Sequence, residues 1–314
     1  MNKAAFLFPG QGSQSVGMGK DLYDSYEVSK NVFDTADKVL GKSITKICFE
    51  GPEEDLKQTV NTQPSIVTTS IAALEALKSQ LDIEPSCTAG HSLGEYCAMY
   101  ASGVMDLETT LKAIQKRADL MGATKGGAMA AILNAPEGSI EKALEEASSV
   151  GYVDVANYNS PVQVVITGDE DAVKKAGELL IQAGARRVVP LAVSGAFHSK
   201  FMESAGNEFK SFVSDLDVCN AQIPVYTNVD AQATFLSAEF KNKMPRQIYS
   251  SVHWTQTIQN MIKEGVDTFI EIGPGKVLTG LVKKIDASVK TYNVYDKESL
   301  ESTVASLKEE LALA

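Results

Sequence analysis

The sequence feature that most constrains the fold is the pentapeptide Gly90-x-Ser92-x-Gly94, which lies between a short run of small residues and a helical pattern. Apolar residues after it recur at helical spacing, and Pro85 bounds the run before it, as it would bound a short buried strand. A serine in a sharp strand-to-helix turn projects its hydroxyl, and flanking glycines let neighbouring backbone approach closely. Ser92 is therefore a candidate nucleophile in a nucleophile elbow. An ordinary turn is the alternative.

The N-terminal third alternates short apolar runs with helical stretches, at residues 5–8, 28–40 and 65–81. This order favours an α/β fold with a mainly parallel sheet. A further helix is predicted after Asp106, the expected N-cap, and Gly126-Gly127 ends it. At 314 residues the chain can form one large α/β domain with a smaller insert.

From residue 128 the pattern changes to strand, helix, strand, strand, helix, strand, at 129–133, 139–147, 153–156, 162–166, 172–183 and 187–193. This βαββαβ order is the ferredoxin-like arrangement, in which a four-stranded sheet carries two helices on one face. We expect residues 127–195 to be an inserted subdomain. Residues 1–126 and 196–314 are expected to form a large α/β-hydrolase-like domain, with later strands at 225–228 and 268–272.

Composition excludes several kinds of partner. A net charge of −11 argues against nucleic acid and against an anionic membrane surface. The first apolar stretch is broken by Pro9, so it predicts neither a signal peptide nor a membrane span. Four cysteines without Cys-x-x-Cys spacing and three histidines predict reduced thiols, no metal site and a cytoplasmic location. Gly273-Pro-Gly275-Lys276 lacks the spacing of a phosphate loop, which favours a tight turn.

A serine nucleophile needs a base, and His91, His198 and His253 are the available imidazoles. His91 would project away from the Ser92 side chain in an elbow, and His253, beside Trp254, fits a core position. His198 follows small residues at the predicted seam between the two domains, where clefts usually form. His198 is therefore favoured as the base, although an esterase could use His253. The acceptor that orients the imidazole could be a backbone carbonyl.

A second glycine-rich turn, at residues 8–14, follows the first predicted strand directly. In serine hydrolases of similar layout such a turn donates one N–H to the oxyanion hole, and the residue after the nucleophile donates the other. The corresponding backbone groups here are those of Gln11 and Leu93. A simple strand-ending turn is the alternative.

Taken together, six motifs resemble the malonyl-CoA:acyl-carrier-protein transacylases, and the likeness spans nearly the whole chain. They are Phe-Pro-Gly-Gln-Gly-Ser-Gln at 8–14, Gly-His-Ser-Leu-Gly-Glu at 90–95, Gln-Lys-Arg at 115–117, Ala-Asn-Tyr-Asn-Ser-Pro at 156–161, Gly-Ala-Phe-His at 195–198 and Glu-Ile-Gly-Pro-Gly at 271–275. The resemblance implies an α/β domain with a ferredoxin-like insert. It also implies a discrete enzyme of fatty acid synthesis.

The resemblance assigns roles to six residues. It implies that Ser92 takes the malonyl group, that His198 is the base, and that Gln11 and Leu93 supply the oxyanion N–H groups. The remaining two are Arg117, which would hold the malonyl carboxylate, and Gln247, whose backbone carbonyl would orient the histidine. The helical pattern alone places Arg117 at the edge of an apolar stripe and predicts a solvated side chain. Ser250-Ser251 stands where family members often have Asn-Pro.

The resemblance also implies malonyl-CoA as substrate, no metal or redox cofactor, and an acyl carrier protein as partner. The carrier must be a separate protein, because the chain has no Asp-Ser-Leu attachment motif. Three basic clusters could receive an acidic carrier or could simply be solvated: Arg186-Arg187; Lys241, Lys243 and Arg246; Lys276, Lys283 and Lys284. Phe197 resembles members selective for malonyl over methylmalonyl groups. Two other hypotheses remain, an esterase and a non-catalytic carrier-binding protein.

Overall fold

The computed structural model describes residues 3–193 and 195–312, which form two sheets and their covering helices. The strands are β1 (Ala4–Phe8), β2 (Cys87–Gly90), β3 (Ala128–Leu133), β4 (Val153–Ser160), β5 (Gln163–Gly168), β6 (Arg187–Pro190), β7 (Val225–Tyr226), β8 (Ala233–Thr234), β9 (Thr268–Ile272) and β10 (Lys290–Val294). The helices are α1 (Lys20–Ser25), α2 (Glu27–Leu40), α3 (Ile44–Glu50), α4 (Glu53–Leu56), α5 (Thr59–Gln80), α6 (Gly94–Ala101), α7 (Leu107–Ala123), α8 (Ser139–Ala147), α9 (Glu170–Ala183), α10 (Glu203–Ser214), α11 (Ser237–Gln247), α12 (Trp254–Lys263), α13 (Val277–Ile285) and α14 (Lys297–Ala312).

The larger sheet has the strand order β10-β9-β1-β2-β7-β8, and every neighbouring pair is parallel except β7 and β8. All five residues of β1 are buried, as expected for a central parallel strand covered on both faces. β1 pairs with β2, and β2 with β7. The carboxyl ends of these three strands therefore meet at one edge, where the loops after them lie side by side.

The smaller sheet is antiparallel, with the order β4-β5-β3-β6, and α8 and α9 pack on it around buried Ile132, Ile166 and Leu180. This confirms the predicted mixed architecture, with a parallel-rich sheet and a separate ferredoxin-like unit. The boundaries 1–126, 127–195 and 196–314 stay a prediction. The strand expected over 187–193 ends at Pro190, because Val193 turns back to donate a backbone hydrogen bond to Leu191. Ser194 lies outside the described residues.

Two helices of the large unit place side chains beside the sheet edge. α5 is buried on almost every face, which is unusual for a helix of 22 residues. α7 packs against it and begins as predicted at Asp106, whose carboxylate accepts a hydrogen bond from the Thr109 N–H at 2.7 Å. Across this contact, Gln63 of α5 lies against Arg117 of α7. No helix in the described part of the chain is long and apolar enough to cross a membrane.

Candidate active site

The predicted strand-to-helix turn surrounds Ser92, which lies between β2 and α6 in the left-handed region at φ 52°. Both flanking positions must be glycine, because other backbone segments approach them too closely for a side chain. A Cβ on Gly90 would lie 1.9 Å from the carbonyl carbon of Gly94, and a Cβ on Gly94 would lie 2.2 Å from the Phe8 carbonyl oxygen. Neither neighbour can move without shifting the sheet. The turn therefore holds Ser92 in a strained conformation that projects its hydroxyl.

His198 reaches Ser92 from the segment that follows the small sheet. Its Nε2 lies 2.8 Å from the Ser92 Oγ. On its other side, Nδ1 lies 3.0 Å from the Gln247 carbonyl oxygen and 3.1 Å from that of Ser250. Because both groups at Nδ1 are acceptors, that nitrogen carries the proton and Nε2 presents its lone pair to the serine. The pair has the geometry of a nucleophile and its general base.

The environment keeps this imidazole neutral. Burial, the positive charge of Arg117 and the nearby His91 together lower the pKa of His198 to about 3, with burial the largest cause, although the two carbonyl hydrogen bonds act in the opposite direction. At neutral pH His198 is therefore unprotonated, and its Nε2 lone pair is free for the Ser92 hydroxyl.

The other two histidines have different surroundings. The Nε2 of His91 lies 2.7 Å from the Asn159 Oδ1, and its ring is tilted against Trp254. His253 stacks on Tyr158 with an interplanar angle of 8°. Within residues 3–193 and 195–312, neither ring is hydrogen-bonded to Ser92. His198 is thus the histidine that lies beside Ser92, and its role as the base stays a prediction.

Arg117 is fully buried, so the solvated side chain predicted from the helical pattern is wrong. Arg117 lies at the edge of the apolar stripe of α7, and this edge faces α5 and the turn that contains Ser92 instead of solvent. Its Nη1 donates to the Gln63 Oε1 at 2.6 Å, and its Nη2 donates to the Ser92 Oγ and the Gln247 Oε1, each at 3.0 Å. Its Nε has no hydrogen-bond partner among the described residues. The partners are neutral oxygens, so the cation is available for an anionic group.

Gln247 contacts all three of these residues. Its carbonyl accepts from His198, its Oε1 accepts from Arg117, and its Nε2 donates to the Ser92 carbonyl oxygen at 2.7 Å. The family resemblance implied only the carbonyl contact. The second carbonyl that accepts from the imidazole, that of Ser250, was also missed. Every residue has a backbone carbonyl, so the identity of the side chain does not indicate this contact. Gln63 was missed because it lies before the helical stretch predicted at 65–81, in a segment whose other residues are mostly polar too.

The backbone N–H groups of Gln11 and Leu93 have no acceptor among the described residues. Their loops follow β1 and β2 and lie close together, since a Cβ on Gly10 would be 2.7 Å from the His91 carbonyl oxygen. Gln11, His91 and Asn159 line a cavity of about 200 Å³ between the large sheet and the small one. Two free donors thus lie in loops at the seam where an acyl group could bind.

No group of three or more histidine, cysteine or acidic side chains suited to a metal ion occurs in the described residues. Cys48, Cys87, Cys97 and Cys219 are free thiols. Burial raises the pKa of Cys48 to about 11 and that of Cys87 to about 12, so neither is a reactive thiolate.

Several known proteins are similar to this chain in sequence and in fold. Residues 5–306 match the family model described as an acyl transferase domain. A curated malonyl CoA-acyl carrier protein transacylase of Bacillus subtilis is 44% identical over 314 residues, which cover 99% of each chain. A solved acyl carrier protein S-malonyltransferase from Vibrio cholerae is 42% identical with a TM-score of 0.92, covering 96% of this chain and 99% of that one. A malonyl-transacylase solved in complex with its type II PKS acyl-carrier protein is 36% identical with a TM-score of 0.93, covering 97% and 99%.

Proposed function

Since this chain belongs to the acyl transferase family, within the malonyl-CoA:acyl carrier protein transacylases, we propose that it moves a malonyl group from malonyl-CoA to the phosphopantetheine thiol of a separate acyl carrier protein. The proposal includes a role in fatty acid synthesis and a cytoplasmic location. One observation carries it: the Ser92 Oγ lies within hydrogen-bond distance of a neutral base, His198, and of a buried cation, Arg117. An acyl transferase without selectivity for a carboxylate needs the base but not the buried cation.

In the first half-reaction, the Ser92 Oγ attacks the thioester carbonyl while His198 Nε2 takes the hydroxyl proton. The charge that develops on the carbonyl oxygen is stabilised by the N–H groups of Gln11 and Leu93. The C–S bond then breaks, CoA leaves as its thiol with the proton from His198, and a malonyl ester remains on Ser92. The carbonyl oxygens of Gln247 and Ser250 keep the imidazole oriented and stabilise its transient charge.

In the second half-reaction, the carrier thiol attacks the malonyl ester and gives its proton to His198. The serine regains the proton as the C–O bond breaks, and the malonyl thioester leaves with the carrier protein. The same groups serve both halves, so the scheme needs no metal or redox cofactor. We propose malonyl-CoA and the carrier protein as the sole co-reactants.

Arg117 supplies the selection for a carboxylate. A guanidinium can bind a carboxylate through two parallel charge-assisted hydrogen bonds. Arg117 is fully buried, and a buried cation without a negatively charged partner is energetically unfavourable. A malonyl group brings the missing negative charge to the site, whereas an acetyl group does not. Phe197, which is buried beside His198, remains our proposed contributor to the preference for malonyl over methylmalonyl groups.

We propose the three basic clusters as docking sites for the carrier protein, and they differ in how many of their cationic groups are free. Lys243 already pairs with Asp230 at 2.8 Å, and Lys283 donates to the Val289 carbonyl oxygen. Lys276 lies over the Tyr295 ring with its ammonium group exposed. Arg186 and Arg187 are exposed at the edge strand β6. We therefore rank the arginine pair and Lys276 ahead of the cluster that contains Lys243.

Intact-protein mass spectrometry after brief mixing with malonyl-CoA or acetyl-CoA tests the proposal. Wild type should gain a malonyl adduct that is absent in Ser92→Ala, and Arg117→Ala should lose the preference for malonyl over acetyl. Lys116→Ala is the matched control, because Lys116 is the neighbour of Arg117 in α7 but forms an exposed ion pair with Glu208. Equal labelling of wild type by both thioesters, or no labelling, would overturn malonyl transfer in favour of an esterase or a non-catalytic carrier-binding protein.

A further inference from the structure

Asn228 has no part in the chemistry described above, yet it contacts the nucleophile turn at both ends. It lies two residues after β7, the strand that pairs with β2, so it follows the strand end next to the one that carries Ser92. Its Oδ1 accepts from the Ser92 N–H at 2.7 Å, and its Nδ2 donates to the Gly90 carbonyl oxygen at 2.7 Å. One amide side chain therefore closes a bridge across the turn.

The same residue is itself fixed from two other directions. Its backbone N–H donates to the Glu95 Oε2 at 2.6 Å, and its carbonyl oxygen accepts from the His253 N–H at 3.0 Å. Both Asn228 and Glu95 are 1% exposed. Because Glu95 lies in the first turn of α6, Asn228 is tied to the strand, the turn and the helix of one elbow.

The loop that carries Asn228 is rigid for local reasons. The Ala231 N–H donates to the Thr227 carbonyl oxygen at 2.9 Å, and the Thr227 hydroxyl donates to Asp230 at 2.8 Å. Lys243 then pairs with Asp230 at 2.8 Å. Asn228 is thus presented from a closed turn and has little freedom to follow a movement of the elbow.

We propose that Asn228 is a positioning residue, held by Glu95, that keeps Ser92 in its strained, reactive conformation. A residue at φ 52° relaxes towards ordinary backbone angles unless its surroundings hold it there. Asn228 opposes that relaxation, since rotation at Ser92 would break the bond to its N–H. Relaxation would also move the Ser92 Oγ away from His198 and Arg117. In addition, the bond leaves the Leu93 N–H, and not that of Ser92, as the free donor beside the nucleophile.

The inference rests on the proposed function only in taking Ser92 as the nucleophile. It therefore requires a test that does not depend on the identity of the acyl donor. A fluorophosphonate ester labels an activated serine covalently with loss of fluoride, and intact mass reports the rate. Wild type and Ser92→Ala are compared first. If wild type is not labelled at Ser92, the proposed function fails, and the role of Asn228 is overturned with it.

Asn228→Ala is expected to slow labelling of Ser92 by roughly tenfold to a hundredfold, as for other small displacements of reacting groups. In malonyl-CoA turnover, kcat should fall by a similar factor while KM stays within about twofold, because Arg117 keeps its hydrogen bonds to Gln63 and Gln247. Asn260→Ala is the matched control. Asn260 also donates to a carbonyl oxygen near this loop, that of Ala231 at 2.8 Å, but it does not contact the elbow.

Asn228→Asp distinguishes positioning from a general structural role. A protonated aspartic acid can donate to Gly90 and accept from Ser92, whereas the carboxylate cannot donate. The charged groups around this position are Glu95, Asp230 and Lys243, and burial raises the pKa of Glu95 to about 7, so Asn228→Asp is measured both alone and in a Glu95→Gln background. Relative to its parent at the same pH, labelling of the Asn228→Asp form should be fastest at about pH 5 and fall towards about pH 9, while Asn260→Asp follows wild type throughout. Labelling of Asn228→Ala within twofold of wild type overturns the inference. So does an Asn228→Asp variant that is no closer to wild type at the lower pH.

Discussion

The two side chains that we propose to react share an unusual backbone conformation but are supported in different ways. Ser92 and His198 lie at φ 52° and 56°, in the left-handed region that most residues avoid. The Ser92 turn is made possible by its neighbours in sequence, Gly90 and Gly94, and Asn228 bridges it from a later loop. His198 is oriented by carbonyl groups that lie 49 and 52 residues further along the chain. The turn of the proposed nucleophile is thus encoded by local glycines and held from outside by Asn228, whereas the orientation of the proposed base comes from distant segments alone.

This difference decides what a substitution damages. Near Ser92, a change of a single glycine should damage the fold and the chemistry together. Near His198, the chemistry can be removed while the fold survives. The following expected effects test that contrast in order of decreasing size.

The largest effect is expected from His198→Ala, which removes the proton acceptor. The rate of CoA release in a single turnover should fall by about 10²–10⁴, the usual contribution of a positioned general base. Far-ultraviolet circular dichroism should stay unchanged, because no strand or helix includes this residue. A loss of less than tenfold would mean that another group accepts the Ser92 proton.

Gly90→Ala should instead unfold the protein at lower denaturant, because the new Cβ would lie 1.9 Å from backbone that cannot move aside. We expect a loss of unfolding free energy of more than about 2 kcal/mol in urea titrations, along with the activity. The matched control is Gly280→Ala in α13, where a Cβ meets nothing within 4 Å. That variant should gain about 0.5–1 kcal/mol from helix propensity. Equal stability of the two variants would refute the local account of the elbow.

A smaller effect concerns pH. A histidine at its ordinary pKa of about 6.5 would lose about 30-fold of its neutral form between pH 8 and pH 5. Because the pKa of His198 is lowered to about 3, it stays neutral over that range, and the rate of fluorophosphonate labelling should change by less than about twofold. Removing the positive charge in Arg117→Ala raises the pKa of His198, so its acid limb should begin at higher pH than in wild type. Burial raises the pKa of Glu95 to about 7, so Glu95→Gln is measured alongside. A limb near pH 6.5 that persists in Glu95→Gln would contradict the buried, neutral base.

The smallest effect is expected from Ser250→Ala. The side chain is replaced, but the carbonyl oxygen that accepts from His198 Nδ1 remains. Steady-state kcat/KM should stay within about twofold of wild type, since only the backbone of this residue orients the imidazole. A tenfold loss would show that the serine hydroxyl takes part in holding His198.

The same contrast explains what could be predicted from the sequence. The elbow, the central strands and the βαββαβ order were predicted because each has a local pattern of glycines and apolar spacing. The far end of β4 was not, because residues beyond Ala156 pair partly with Val252, which is remote in sequence. The burial of Arg117 was missed for the same reason: the pattern of α7 alone does not show that polar residues of other segments lie opposite it. The family resemblance assigned that role, whereas composition and spacing could not.

The pairing at the end of β4 also has a mechanical consequence. Val252 exchanges backbone hydrogen bonds with Ala156 and Tyr158 of β4, and it lies two residues after Ser250, which helps to hold His198. Asn159, on the same strand, is bonded to His91, the residue before the nucleophile. A rotation of the small sheet that widened the cavity would therefore pull on the base and the nucleophile at once. The distance between the Ser92 Oγ and the His198 Nε2 should therefore depend on the separation of the two sheets.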